Sequence, residues 1–468
     1  MSQSQSLSGA PASWREELGA TLRLALPLAG TNLLQMAIYA VDVIFIARLG
    51  AEPLAASSLS VSLTGLLMWS MSGLVGGAAP LIAAELGRNR HAVREVRRTF
   101  RMGVWLAVAS GALCMTVCLA GERIMLLTGQ NPQVAAAAGD FLLILMWTMI
   151  PLVLASHLRN TVSALGRPFA STLITAGAVG VNALGNYALV FGNLGLPELG
   201  LQGSALASVI TSFAMVGAYA AVMVTDRRLR RFHLWGRWWR PEWSRLRQML
   251  VIGLPIAGTI IAEAGLFSGA AFLMGRIGEA ELAGHTIALQ IAAIAFQVPF
   301  GVGQAATIRV GLAFGAGDRV WIGRAGTIGI ALGIGFMLVT ALLIWAFPSS
   351  ILRIYVDPDA PANAAMVAFA LQYLLVAAAF QLFDGAQAVA AGALRGLQDT
   401  RVPMLIAVFG YWLPGFGLAV GLGFFTPLSG TGVWLGLAAG LVIVATLLLW
   451  RWAMRDRLGL VGPRARTG

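Results

Sequence analysis

The stretch Leu26-Pro27-Leu28-Ala29-Gly30-Thr31 near the start of the chain is nearly repeated as Leu254-Pro255-Ile256-Ala257-Gly258-Thr259, 228 residues later. The same offset, without a gap, pairs further residues of the two halves: Arg48 with Arg276, Gly50 with Gly278, Gly73 with Gly301, and Gly87 with Gly315. A register held over this length indicates an internal duplication. In a strongly apolar chain, such a duplication is typical of transporters, in which two helical bundles move against each other around a shared site.

The composition indicates a membrane protein. Of the 468 residues, 58% are hydrophobic and 11% are charged, and the mean hydropathy is +0.79. A water-soluble globular protein could not cover this much apolar surface with polar groups. The net charge of +12 would suggest a nucleic-acid partner in a soluble protein. Here we expect the arginines to lie in short loops between apolar spans, and therefore expect no nucleic-acid partner.

Apolar stretches long enough to cross a bilayer recur along the whole chain. A spanning helix needs roughly 20 apolar residues, and polar, Gly or Pro residues divide the sequence into about twelve such stretches, six in each repeat. We therefore predict an all-α integral membrane protein built from two pseudo-symmetric six-helix bundles. The expected parts are a cytoplasmic tail (1–20), a first lobe (21–225), a basic Trp-rich cytoplasmic linker (226–246), a second lobe (247–455) and a cytoplasmic tail (456–468).

The arginines predict the orientation of the chain, because cytoplasmic loops collect Lys and Arg. Placing both termini in the cytoplasm leaves four arginines in outer loops: Arg48, Arg123, Arg276 and Arg353. We expect a bacterial inner membrane as the location. The linker mixes arginines with four tryptophans, Trp235, Trp238, Trp239 and Trp243. This composition favours a plain connection in the lipid headgroup layer, with an amphipathic partner-binding segment as the alternative.

Three carboxylates fall inside otherwise apolar spans: Asp42, Glu263 and Asp384. A charge at the bilayer centre costs on the order of 3 kcal/mol on insertion scales, so each must face a bundle interior or water. Each is therefore a functional-site hypothesis, in which a proton and a cation compete for the same carboxylate. The alternative is that each reaches water near an interface, or is protonated and hydrogen-bonded for packing alone.

Polar residues of two other spans suggest partners for Asp42. Asn182 and Asn186 lie one helical turn apart on one face of the predicted fifth span, and Ser208 lies in the sixth. Amide and hydroxyl groups of this kind complete hydrogen bonding or oxygen ligation around a carboxylate. Ordinary interhelical hydrogen bonds are the alternative role for these residues.

The second half carries a set of candidate substrate-binding residues. Gln290, Gln297 and Gln304 recur every seven residues, which predicts a polar stripe facing a cavity, with interhelical hydrogen bonds as the alternative. Gln35 joins the set because the repeat pairs it with Glu263. Four aromatic residues complete it as walls for a flat cation, although packing is their commoner role: Phe267, Phe300, Tyr411 and Trp412.

The sequence lacks the usual motifs of enzymes. None of its four histidines has a second ligand at metal-binding spacing, and HExxH, Walker A and nucleophile-elbow motifs are missing. Cys114 and Cys118 lie one turn apart in an apolar span, which excludes a disulfide framework and favours a core role. We therefore predict that the chain is not an enzyme and has no cofactor.

Several segments resemble the multidrug and toxic compound extrusion (MATE) family, in its NorM-like branch, and the resemblance covers essentially the whole chain. These segments are 26–31 with Asp42, VNALGNY over 181–187, EAGLFSGAAFLMGRIG over 263–278, GHTIALQIAAIAFQVPFGVGQAATIRVG over 284–311, and 392–401 with Pro403. The resemblance implies two six-helix lobes around a V-shaped cavity, and drug efflux driven by inward Na⁺ or H⁺ movement.

The resemblance also implies roles for the acids. Glu263 and Asp384 would form a cation and substrate site in the second lobe, with Na⁺ as one candidate cation, and Asp42 with the two asparagines would form a site in the first. Phe380 stands where some relatives carry Tyr, which removes a coordinating hydroxyl and favours H⁺ over Na⁺. Ser208 stands where relatives often have Thr, and it keeps the oxygen.

These observations together predict a secondary active antiporter. Its expected partners are small amphipathic or cationic organic compounds, H⁺ or Na⁺ as the coupling ion, and membrane lipid, and we expect a monomer. One alternative is a lipid-linked oligosaccharide flippase of the same superfamily, which would favour a basic cavity for a pyrophosphate. The other is a non-transporting membrane scaffold, in which three buried acids would be an unexplained cost.

Overall fold

The computed structural model describes residue 11, residues 13–236 and residues 239–461. Within these residues, twelve helices are long and apolar enough to cross a membrane, as predicted. They are α1 (Trp14–Ala47), α2 (Ala51–Arg88), α3 (Val93–Leu119), α4 (Pro132–Ala164), α5 (Pro168–Val190), α6 (Gly200–Thr225), α7 (Trp243–Ile277), α8 (Glu279–Ala316), α9 (Arg319–Ala346), α10 (Pro361–Gly396), α11 (Arg401–Phe424) and α12 (Ser429–Ala453). Arg237 and Trp238 of the predicted linker lie outside the described residues.

Capping residues in the segments between helices explain where several helices begin. The Ser13 hydroxyl accepts a hydrogen bond from the backbone N–H of Glu16 and starts α1 at Trp14, seven residues before the predicted first lobe. Asn131 caps α4 in the same way, with Pro132 at the first helical position. Between α8 and α9, Gly317 adopts a left-handed conformation with φ of 70°, and the Asp318 carboxylate then caps α9.

Three of the spanning helices are irregular. Gly77 divides α2 into Ala51–Gly76 and Ala78–Arg88. A 3₁₀ turn interrupts α4 at Met146–Thr148, and a π-helical turn that contains Pro414 interrupts α11 at Tyr411–Phe416. Proline cannot donate the helical hydrogen bond, and π-turns of this kind rotate the side chains that they carry.

Packing divides the described chain into two compact units. One runs from Gly30 to Ala257, and the other combines the described residues up to Ala29 with those from Gly258 onward. The two division points are 228 residues apart, the offset of the sequence repeat. They differ from the lobe boundaries expected near residues 225 and 247, because the first half of α1 packs with the later helices and the first half of α7 packs with the earlier ones.

Close backbone crossings explain this exchange of helix halves. In the first unit, a Cβ at Gly253 of α7 would lie 2.1 Å from the Leu74 carbonyl oxygen of α2. In the second unit, a Cβ at Gly301 of α8 would lie 2.6 Å from the Ala29 nitrogen of α1. Only glycine permits helices to approach this closely, and small residues drive helix association in membranes. Each exchanged half is therefore fixed by a glycine contact.

The first unit has a cluster of sulfur-containing and aliphatic side chains in its interior. Cys114 and Cys118 of α3 are both reduced and buried there. They pack with Met125, Leu142 and Met149. The two cysteines therefore lie in the core, as expected from their apolar span.

Many of the arginines lie within the spanning helices and not in the loops, which corrects the expectation from the sequence. Arg159 lies in α4, Arg309 in α8 and Arg395 in α10. Arg309 is fully buried and pairs with Glu17, which is also fully buried near the start of α1. The helices extend beyond the purely apolar stretches, so counting apolar residues alone places these charges outside them.

Candidate functional site

The structure brings Asp42 together with its predicted partners. The Asp42 carboxylate on α1 accepts hydrogen bonds from Asn182 Nδ2 at 3.0 Å and Asn186 Nδ2 at 2.8 Å, both on α5. The hydroxyl of Ser208 on α6 donates to its second oxygen at 3.0 Å. Both asparagines are fully buried. Three donors converging from two other helices stabilise a negative charge in a low-dielectric interior.

The spacing of the two asparagines explains this convergence. Asn182 and Asn186 are separated by one helical turn, so they lie on one face of α5. Asn186 also donates to the backbone oxygen of Asn182 at 3.0 Å, which fixes the orientation of its amide. The pair therefore presents two amide nitrogens to the same carboxylate oxygen.

A cavity of about 300 Å³ in the Gly30–Ala257 unit opens onto Asp42. This volume lies at the lower end of the range for small-molecule sites. Its walls are largely apolar and include aromatic rings and thioethers, which adapt to differently shaped ligands. Tyr39, Met68, Trp69, Met149 and Met215 are among the lining residues.

Arg159 and Gln35 lie in the wall of the same cavity. Arg159 is only 6% exposed, and its Nη1 donates to Gln35 Oε1 at 2.7 Å. The apolar stretch of the sequence ends at Ala155, whereas α4 continues to Ala164 and carries Arg159 into the unit. Arg159 was therefore missed as a site residue. Gln35, predicted as a substrate-binding residue, contacts this arginine.

A second cluster lies in the other unit, which includes the residues from Gly258 onward. Gln387 Nε2 on α10 lies 3.1 Å from Glu263 Oε1 on α7 and 3.1 Å from Asp384 Oδ1. The Tyr411 hydroxyl donates to Gln387 Oε1 at 3.0 Å. One amide thus connects both predicted acids with the predicted Tyr411, which belongs to the π-helical turn of α11.

Two residues of this cluster were missed by sequence reasoning. Gln387 lies three residues after Asp384, on the same helix face, and this spacing is the signal that could have found it. Arg395, near the end of α10, acts electrostatically on Glu263 and on Tyr411. Arg395 was not predicted because it follows the end of the apolar stretch.

The remaining predicted residues are more scattered. Trp412 donates from its indole nitrogen to the Ala262 carbonyl oxygen at 3.2 Å, one residue from Glu263. Phe267 is half-buried, and Phe300 is half-buried against Phe296, with ring centroids 5.9 Å apart. The three glutamines of α8 differ in environment, since Gln290 is exposed, Gln297 is buried and Gln304 is half-buried.

Phe380 packs in an aromatic environment and offers no oxygen to a cation. Its ring is buried and stacks on Trp434 with centroids 5.5 Å apart. It therefore contributes an apolar surface one turn before Asp384. Within the described residues, no group of three or more His, Cys, Asp or Glu side chains could hold a metal ion.

Comparison with known proteins relates the chain to one family. The MatE family model matches residues 27–188 and 255–420. The two matched segments begin at the repeated prolines, 228 residues apart. This agreement places the family signature in both repeats.

Curated relatives cover nearly the whole chain. It is 45% identical over 445 residues to the "probable multidrug resistance protein NorM" of Mesorhizobium japonicum, with 95% of each chain covered. It is 44% identical over 439 residues to the protein of the same name from Brucella suis, with 94% of this chain and 93% of the relative covered. The "multidrug resistance protein NorM" of Burkholderia vietnamiensis is 36% identical, with 98% of each chain covered.

Solved structures share the fold. A eukaryotic MATE transporter matches with a TM-score of 0.85 at 18% identity, covering 96% of this chain and 98% of its own. An outward-facing multidrug resistance MATE family transporter of the MOP superfamily matches with a TM-score of 0.85 at 18% identity, covering 98% and 99%. The all-helical architecture is therefore shared with transporters of this type.

Proposed function

Since the chain belongs to the MatE family, we propose that it is a multidrug efflux transporter, exporting small amphipathic or cationic organic compounds in exchange for H⁺ or Na⁺. NorM relatives that match nearly the full chain are named multidrug resistance proteins, which supports this class of cargo. The twelve apolar helices suit a multi-pass bacterial membrane protein. The chain is a transporter and not an enzyme.

The observation that carries the proposal is the amide of Gln387 held between Glu263 and Asp384. One amide nitrogen supplies a single hydrogen to each carboxylate, so other oxygens of both acids stay available to a ligand. Two carboxylates that share a dry site repel each other unless a cation or a proton neutralises them. An organic cation, Na⁺ and H⁺ are therefore competing ligands of this pair.

This competition couples export to ion entry. An organic cation bound to Glu263 and Asp384 leaves when H⁺ or Na⁺ from outside neutralises the acids. The inward gradient of that ion supplies the free energy for export. The carboxylate oxygens suit Na⁺ as well as a proton, while the apolar Phe380 adds no oxygen and favours H⁺.

Asp42 forms a second ion site in this proposal. Its three hydrogen-bond donors favour the charged carboxylate, and the adjoining cavity gives a cation access to it. Neutralising Asp42 removes the charge around which these donors are arranged. The site therefore responds to the same ions as the acid pair.

We place the transporter in the bacterial inner membrane as a monomer surrounded by lipid, with both termini in the cytoplasm. The concentration of arginines in the loops and helix ends assigned to the cytoplasm supports this orientation. The coupling ion is the only inorganic ligand required, and no nucleic-acid partner or resident cofactor is needed.

Ethidium export from proteoliposomes tests this function. The purified chain is reconstituted, ethidium is loaded, and either a Na⁺ gradient or a pH gradient is imposed. Export under one gradient and not the other would establish the antiporter and identify its ion. If neither gradient drives export of ethidium or other organic cations, the proposal is wrong, and lipid-linked oligosaccharides become the substrates to examine.

A further inference from the structure

The cavity of the Gly30–Ala257 unit contains a positive side chain that the proposed exchange does not use. Arg159 lines this cavity together with Asp42 and is almost fully buried. Its Nε has no hydrogen-bond partner, and no Asp or Glu among the described residues forms an ion pair with it. A buried guanidinium without a counter-ion is costly unless a ligand supplies the negative charge.

The contacts of Arg159 leave room for such a ligand. A guanidinium has five N–H donors in a planar fork that matches a carboxylate. Gln35 accepts one of them, at 2.7 Å from Nη1, and the nearby Tyr219 acts on Arg159 electrostatically. A side chain that only held Gln35 in place would need a single donor.

The two charges lie at different levels of one wall. Gln35 and Asp42 are seven residues apart on α1, which is two helical turns on the same face, or roughly 10 Å along the helix. Because Arg159 contacts Gln35, its guanidinium lies near the Gln35 turn of α1, whereas the Asp42 carboxylate lies about two turns further along the helix. Between them the cavity wall includes Ile38 and Tyr39.

We propose that Arg159 is a specificity-determining residue of this cavity, where it binds the carboxylate of an organic substrate whose cationic group lies at Asp42. The inference rests on the proposed efflux function and adds a specificity-determining residue to it. Within this cavity, a purely cationic compound contacts only the charge of Asp42, whereas a compound with both charges also gains the contact with Arg159.

A matched pair of dyes separates these contributions. Rhodamine 110 carries a free carboxylate, and rhodamine 123 is its methyl ester, with the same cationic ring system. Equilibrium binding to the full chain in lipid nanodiscs is measured by fluorescence anisotropy. The wild type should bind both dyes, and Arg159→Gln should weaken rhodamine 110 at least tenfold while leaving rhodamine 123 within twofold.

Conservative and control variants complete the test. Arg159→Lys should recover part of the rhodamine 110 affinity, and Arg88→Gln, at an exposed arginine, should change neither dye. If Arg159→Gln does not fold, Gln35→Glu gives the same comparison, because it places a competing carboxylate at the guanidinium and should selectively weaken rhodamine 110.

Two results would overturn the inference: wild type that binds the ester but not the acid, or an Arg159 variant that weakens both dyes equally. Failure of the wild type to export rhodamine 123 from energised proteoliposomes would contradict the proposed function instead. The binding comparison does not depend on transport and would still decide the role of Arg159.

Discussion

Asn186 on α5 donates a hydrogen bond of 2.8 Å to Asp42 on α1, although 144 residues separate them. The contact fixes a carboxylate at the edge of an apolar cavity. Hydrogen bonds to charged groups contribute about 1.5–3 kcal/mol each. The amide therefore sets how tightly Asp42 holds a proton, which is central to its proposed role.

Asn186→Ala should make Asp42 retain its proton to higher pH, because the ionised form loses a donor. A loss of about 1.4 kcal/mol corresponds to roughly one pH unit. We expect the midpoint of pH-dependent ethidium export to shift upward by about this amount. Asn193→Ala serves as the control, since Asn193 donates to the Tyr187 backbone outside the site. An unchanged pH profile in Asn186→Ala would remove Asp42 from the coupling step.

Gln387→Leu should slow export, because Glu263 and Asp384 lose the amide that contacts both carboxylates. The substitution keeps much of the volume but removes the donor that Glu263 and Asp384 share. A loss of about 1.5 kcal/mol or more at these charged groups predicts at least a roughly tenfold lower export rate. The measurement is gradient-driven ethidium export per folded protein. Gln372→Leu, at an exposed position of the same helix, is the control, and equal rates in the two variants would contradict the role of Gln387.

The buried pair of Glu17 and Arg309 should be a large determinant of stability. Arg309 Nε donates to Glu17 Oε1 at 2.8 Å, and the Trp321 indole donates to Glu17 Oε2 at 2.9 Å. Removing one partner of a buried ion pair costs about 3–5 kcal/mol, because the other charge stays buried. Glu17→Gln and Arg309→Met should each lower the Tm in detergent. The double variant should recover part of the loss, and strictly additive losses would contradict the pairing.

Gly253→Leu should destabilise the chain through a backbone clash. A Cβ at this position would meet the Leu74 carbonyl oxygen at 2.1 Å, and backbone cannot move aside as a side chain can. We expect a lower Tm and poor recovery of monodisperse protein. At Gly217 a Cβ meets nothing within 4 Å, so Gly217→Leu should behave like wild type. Similar stability of the two variants would show that the α2–α7 crossing is less tight than described.

Much of the fold could be predicted because lipid imposes a simple rule on the sequence. Long apolar runs and the offset repeat were sufficient for twelve helices and a duplicated architecture. The exchange of helix halves was not predictable in the same way, because Gly253 and Gly301 act through contacts with distant backbone. In the sequence they resemble the many other glycines of apolar helices.

The candidate sites were predictable to the extent that charge is rare inside apolar spans. Asp42 and its asparagines follow from that rule and from the one-turn spacing of Asn182 and Asn186. Arg159 and Arg395 were not predicted as site residues, because both follow the end of an apolar stretch and look like loop arginines. Gln387 escaped because a single glutamine carries no signal until its contacts with both acids are known.

Neutralising Glu263 and Asp384 shows whether these buried acids couple export to ion entry. Gradient-driven ethidium export should be compared in proteoliposomes of wild type, Asp384→Asn, Glu263→Gln and, as a control at an exposed acid of α8, Glu279→Gln. We expect loss of export in Asp384→Asn and Glu263→Gln, with normal folding, and wild-type rates in Glu279→Gln. Undiminished export in both Asp384→Asn and Glu263→Gln would contradict a coupling role for these acids.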